Sequence, residues 1–131
     1  MACQLEFDIH LTSKIIFMSK LFAMAIPILP GKEAEWKKWH DELRTKRYNE
    51  FVNSRKKLNV HERSFLQHTP MGDLVIVTLE GDDPQGAFAK FAAGNDEFTK
   101  WFLAGVKQAH GIDLSQPPTG PMPEQIIDSM T

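Results

Sequence analysis

Between Val60 and Glu80 the chain reads VHERSFLQHTPMGDLVIVTLE, two runs rich in β-branched and aromatic residues around the break His68-Thr69-Pro70-Met71-Gly72-Asp73. Proline, glycine and aspartate each favour a turn for a different backbone reason, so the segment predicts two antiparallel strands joined tightly. The second run, Leu74 to Glu80, is almost wholly apolar and predicts a central strand. The first run separates Val60, Glu62, Ser64, Leu66 and His68 from His61, Arg63, Phe65, Gln67 and Thr69, and neither set is wholly apolar. A mixed face of this kind suits the wall of a ligand cavity, and it suits a sheet surface facing water equally well.

Upstream, Leu21 to Ile28 predicts a strand apolar on both faces, with Phe22, Met24 and Ile26 opposite Leu21, Ala23 and Ala25. Pro30-Gly31 ends it, and Lys32 to Leu58 predicts one long helix. Counted at about 100° per residue, Trp36, Trp39, Leu43, Phe51, Ser54 and Leu58 share one stripe. His40 and Arg47 fall inside that stripe, Glu50 lies at its edge, and Lys37, Asp41, Arg44, Tyr48 and Arg55 point elsewhere. Two readings follow. Either Arg47 snorkels along the core edge while His40 bonds a backbone carbonyl, or the two line a polar pocket between helix and sheet.

After the hairpin, Asp83-Pro84 opens a helix with a capping residue and a proline at the first turn, and Ala87, Phe88, Phe91 and Ala92 form its inner side. Gly94-Asn95 breaks it. Asp96 falls in the opening turn of a further helix whose Phe98, Trp101, Phe102, Val106 and Ala109 recur at helical spacing, with Gly111 as its stop. Phe88 and Trp101 stand at the centres of these stripes. Prolines at 117, 118, 121 and 123 make an extended connector, after which Glu124 to Ser129 offers a short closing strand through Ile126 and Ile127. The order becomes β-α-β-β-α-β.

Composition narrows the possibilities. A chain of 131 residues, 42% hydrophobic and 24% charged, is one domain's worth of soluble globular protein. Its net charge of −2 gives no reason to expect nucleic acid or an anionic membrane. Arg44, Lys46, Arg47, Arg55, Lys56 and Lys57 read as a solvated basic helix surface, without the interleaved aromatics of a nucleic-acid site. No apolar run approaches the ~20 residues that span a bilayer, and the one cysteine, Cys3, excludes an intrachain disulfide. Residues 1–17 read as an N-terminal extension outside the core, with Met18 a plausible start; Gln4 to Leu11 also partly alternates and could add an edge strand. The domain proper is then 18–131, and a cytoplasmic location fits.

The element order, together with VHERSFLQHTPMGDLVIVTLEGDDPQGAFAKFA, DEFTKWFLAGVKQAHGIDL and PPTGPMPEQIID, resembles small uncharacterised proteins of the dimeric α/β-barrel, ferredoxin-like superfamily. The likeness covers roughly Lys20 to Met130. It implies an α+β fold in which an antiparallel sheet carries helices on one face and pairs with a second copy to form a dimeric barrel. The wider superfamily it resembles contains monooxygenases, mutarotases, EthD-like and haem-dependent members, and barrels of unclear role, so it implies no single activity. No enzyme family's catalytic residues map onto this chain.

Three function classes therefore stand: an enzyme acting on a small organic metabolite without metal or organic cofactor, of monooxygenase, isomerase or cyclase type; a non-catalytic small-molecule-binding protein; and a dimeric interaction module. For the enzyme, His40, Arg47 and His61 are the candidate catalytic groups, since histidine moves protons near neutral pH and arginine fixes an oxyanion. Trp36, Phe51, Arg63 and Phe65 are the candidate ligand contacts. His61 and His68 stand seven apart on one strand, about 23 Å from end to end and on opposite faces, so they cannot share a metal. No Ser-His-Asp spacing or glycine-rich phosphate loop is present.

Overall fold

A computed structural model of the chain describes residues 19–118 and 120–130. The expectations for residues 1–17, extension or edge strand, lie outside the described residues. The rest is an α+β fold: β1 (Lys20–Pro27), α1 (Glu33–Arg44), α2 (Tyr48–Lys57), β2 (Val60–Thr69), β3 (Gly72–Gly81), α3 (Pro84–Ala92) and α4 (Glu97–His110). The three strands form one antiparallel sheet in the order β1-β3-β2. The almost wholly apolar strand takes the centre, where both edges of its backbone are hydrogen-bonded. β1 and β2 both run against β3, so they lie parallel to each other, and α1 and α2 make the crossover between them.

The hairpin is tighter than the sequence suggests. Pairing continues to Thr69 opposite Gly72, leaving Pro70-Met71 as the loop. The Thr69 hydroxyl holds it by accepting from the Met71 amide at 3.2 Å. Gly72 sits at φ 123°, a conformation that side chains resist.

The predicted long helix is two helices. Thr45 ends α1 with ψ −90°, and its hydroxyl donates to the Asp41 carbonyl, four residues back. A side chain that takes a helical carbonyl competes with the backbone ladder. The Arg47 amide then donates to the Glu42 carbonyl at 2.9 Å, five residues back, and α2 starts in a new phase. Single-helix counting fails across this joint. Arg55, expected to point away with the basic surface, is buried, while Arg47 is turned toward the rim.

The later helices follow their caps. The Asp83 carboxylate accepts from the Gly86 amide at 3.0 Å, with Pro84 at the first turn of α3. Asp96 proves to be the cap of α4 itself rather than a member of its first turn: its carboxylate accepts from the Thr99 amide at 3.1 Å and from the Thr99 hydroxyl at 2.7 Å. Gly111 stops α4 in the left-handed region at φ 69°.

The core lies between helices and sheet. Trp36, Trp39, Leu43, Phe91, Phe98, Phe102 and Val106 pack over Val75 and Ile28. Phe88 and Trp101, expected at the centres of their stripes, are only half-buried, and Phe91 and Phe102 take those places. No closing strand forms through Ile126 and Ile127, which are more than four-fifths exposed. Among the described residues the sheet therefore has three strands. No helix of the described residues is long and apolar enough to cross a membrane.

Candidate functional site

The helix-side face of the sheet and the inner faces of the helices line a half-open cavity of about 630 Å³. That volume suits a small organic molecule, since ligand sites run from about 300 to 1,000 Å³. Its walls are mainly apolar. Met24, Val75 and Leu79 come from the sheet, Trp36, Trp39 and Leu43 from α1, Phe51 from α2, Phe91 from α3, and Phe102 and Val106 from α4.

Polar groups face it from two sides, and Glu33, Lys37, Arg44 and Tyr48, the last three expected from sequence to point elsewhere, also line it. On the α1 side stands His40, stacked on Trp36 with ring centroids 3.9 Å apart and edge-on to Trp39 at 4.7 Å. Its Nδ1 lies 3.3 Å from the Trp36 carbonyl oxygen, which can only accept, so Nδ1 carries the hydrogen and Nε2 keeps a free lone pair. His110, the last residue of α4, is built the same way: Nδ1 donates to the Pro27 carbonyl at 2.8 Å. Burial pushes the His40 imidazole down to about 4, against the pull of the Trp36 carbonyl, and the nearby His110 adds to the depression. Burial lowers His110 as well, again opposed by its carbonyl partner. At neutral pH the cavity thus holds two uncharged imidazoles.

On the α2–β2 side, Arg55 Nε donates to Glu62 Oε1 at 2.7 Å and Nη1 to Ser54 Oγ at 2.9 Å. Both charged side chains are about nine-tenths buried, 8% and 10% exposed. The guanidinium lies over three rings, Phe91 at 4.2 Å, Phe51 at 4.7 Å and Phe102 at 4.8 Å. Aromatic faces favour a cation and arginine sheds water more easily than lysine, so a guanidinium is the cation best suited to this position. Ser64 and the His68–Asp73 pair, Nδ1 to Oδ1 at 2.8 Å, also reach the cavity; His68 itself is largely exposed.

The residues singled out from sequence divide between three places. Trp36, His40 and Phe51 line the cavity. Arg47 does not: it pairs with Glu50 at 3.0 Å and with Glu97, and lies 4.5 Å over the Trp101 ring. The break at Thr45 moved it, so the expected His40–Arg47 wall is replaced by His40 and His110 on one side and Arg55 with Glu62 on the other. His61, Arg63 and Phe65 occupy the opposite sheet face, where Arg63 pairs with Glu80 at 3.2 Å and Phe65 is 54% exposed. The period-two split of β2 was right, but the face that meets the cavity is the one bearing Val60, Glu62, Ser64 and Leu66.

Sequence reasoning missed Arg55, Glu62 and His110. Arg55 stands four residues after Phe51, hence above it on the same helix face, and that spacing carried the signal. His110 gave none, because its role depends on where β1 ends.

Two indole N–H groups, Trp36 Nε1 and Trp39 Nε1, are shut away from water without a hydrogen-bond partner among the described residues. The Trp39 indole is pressed against Gly105 of α4, where a Cβ would lie 2.4 Å from Nε1. Among the described residues no cluster of three or more histidine, cysteine or acidic side chains is arranged to hold a metal ion. No family model matches the chain, and neither a curated protein nor a solved structure does.

Proposed function

We propose that the protein takes one small, largely apolar organic molecule into the cavity between helices and sheet, and acts on it by proton transfer at His40 without a metal or organic cofactor. The observation that carries this reading is an aromatic-walled cavity of about 630 Å³ holding an imidazole whose Nε2 lone pair is free at neutral pH. A base whose conjugate acid titrates at about 4 is weak, so it suits an already acidic proton, that of a phenol, an enol or a carbon between two carbonyls. Isomerisation, cyclisation and cofactor-free monooxygenation all begin with such a step.

The same depressed basicity favours a second reading, a non-catalytic binding protein in which His40 only accepts a hydrogen bond. One experiment separates them. Native mass spectrometry of the protein purified from its own cell should reveal a bound organic molecule, and incubation with fresh ligand should change that molecule's mass or isomer in a way that His40→Gln abolishes. Binding without any change, in the native protein, would replace the enzyme with the binding protein. A cavity found empty in every preparation would remove both.

We further propose a homodimer of the kind the sequence likeness implies, with two sheets face to face. No described helix covers the outer sheet face, which exposes Leu21 at 53% and Phe65 at 54% beside the Arg63–Glu80 pair. A two-fold-related copy would meet those opposite charges with their complements. Sedimentation at micromolar concentration should give twice the 14.9 kDa chain mass, and a monomer would refute it.

A further inference from the structure

The buried Arg55–Glu62 pair has no evident purpose in the packing, since an apolar pair of the same volume is often as stable or more so. It lines the cavity. We infer that this pair is the polar end of the ligand site, and that it selects an uncharged head group carrying a hydrogen-bond acceptor beside a donor, as in a primary amide, a lactam or an enolised dicarbonyl.

Charge comes first. Arg55 and Glu62 neutralise each other at 2.7 Å, so the cavity's polar end has no net charge to offer. At this end an anionic group would meet Glu62 as well as Arg55, and a cationic group the reverse, so neither finds an uncompensated counter-ion there. A neutral dipole needs none.

Hydrogen-bonding capacity comes next. A guanidinium has five N–H donors and a carboxylate about four acceptor positions, more than the bonds to Glu62 Oε1 and Ser54 Oγ consume. Neither side chain holds a closed-off atom without a partner, and both line the cavity, where a ligand can meet the capacity left over. Side by side, the pair presents donors and acceptors together, the pattern an amide or an enolised dicarbonyl complements. Geometry fixes it in place, because Phe51, Phe91 and Phe102 surround the guanidinium and the same rings supply the wall for the ligand's apolar body.

The inference rests on the cavity being a ligand site, and the test keeps the two apart. Three probes with one apolar body, 2-naphthamide, 2-naphthoate and 2-methylnaphthalene, would be titrated calorimetrically into the full chain at pH 7.5. The amide should bind at least tenfold more tightly than either of the others. In Glu62→Gln, which keeps an acceptor for Arg55 but removes the negative charge, the preference should reverse, with naphthoate gaining at least tenfold over naphthamide. Should that variant not fold, the ranking in the native protein alone decides. Methylnaphthalene binding as well as the amide would overturn the assignment of the pair and leave the cavity reading intact. Failure of all three to bind would overturn both.

Discussion

Gly105 faces Trp39 across the contact between α4 and α1, and replacing it with alanine pits two known effects against each other. A Cβ at this position would lie 2.3 Å from Cε2, 2.4 Å from Nε1 and 2.7 Å from Cδ2 of the indole. Ordinary contact begins near 3.4 Å, so the ring would have to retreat by about 1 Å. It has little freedom to do so, being buried, edge-on to Phe102 at 5.0 Å and to His40 at 4.7 Å. Overpacking of a core typically costs about 1–3 kcal/mol, and three clashing atoms of one rigid ring belong at the upper end. Against this, alanine in a helix interior gains about 1 kcal/mol over glycine. The clash wins by about 1–2 kcal/mol, which lowers the thermal midpoint of a domain this size by about 4–8 °C. Thermal and urea melts followed by circular dichroism would measure it. Trp39→Leu in the same background removes the ring atoms that the new Cβ would meet, so the pair should show a coupling of at least ~1 kcal/mol in a double-mutant cycle. If Gly105→Ala alone raised the midpoint, as helix propensity by itself demands, the contact described between α4 and α1 would be wrong.

His40 makes stability fall in mild acid. Its folded value of about 4 lies below the ordinary 6.5, so the unfolded chain binds the proton first; the contribution is intact above pH 6.5 and is lost as pH drops toward 4, by on the order of 3 kcal/mol in all. His110, lowered by the same burial, adds a loss of the same sign, and urea midpoints between pH 7.5 and 4 should be flatter in His40→Gln than in the native protein. Arg55→Met should destabilise by about 3–5 kcal/mol, because it strands a buried carboxylate. Arg47→Met, which loses only rim ion pairs and a ring contact, should cost about 1 kcal/mol or less; equal effects in urea melts would contradict the burial difference. Asp96→Ala should lose about 1 kcal/mol through its cap, read in the same assay.

The parts of the fold that the sequence announced are those governed by local chemistry. Pro70 and Gly72 mark the hairpin, Asp83-Pro84 and Asp96 mark helix starts, and Gly111 marks a stop, each through a backbone preference that acts within four residues. The joint at Thr45 carries neither glycine nor proline. Its cause is one hydroxyl reaching the Asp41 carbonyl, which a mid-helix threonine is equally free not to do. That unannounced joint decides the site, because it turns Arg47 to the rim and Arg55 into the core while Phe51 and Leu58 stay on the inner side. Isoleucines 126 and 127 misled for a different reason. Strand propensity describes fit to a half-buried pleat, and this tail has no neighbouring strand among the described residues to pair with.

The stack of His40 on Trp36 also has an optical consequence. At 3.9 Å between centroids and an interplanar angle of 26°, the imidazole is in face contact with the indole. A protonated imidazole in contact with an excited indole accepts an electron from it and darkens its emission, whereas the neutral ring does so weakly. The charge state of the cavity histidine is thereby written into the light emitted by its neighbour. A titration followed at the blue edge of tryptophan emission, where buried indoles emit, would trace protonation near pH 4 in the folded protein, without a label and without disturbing the cavity.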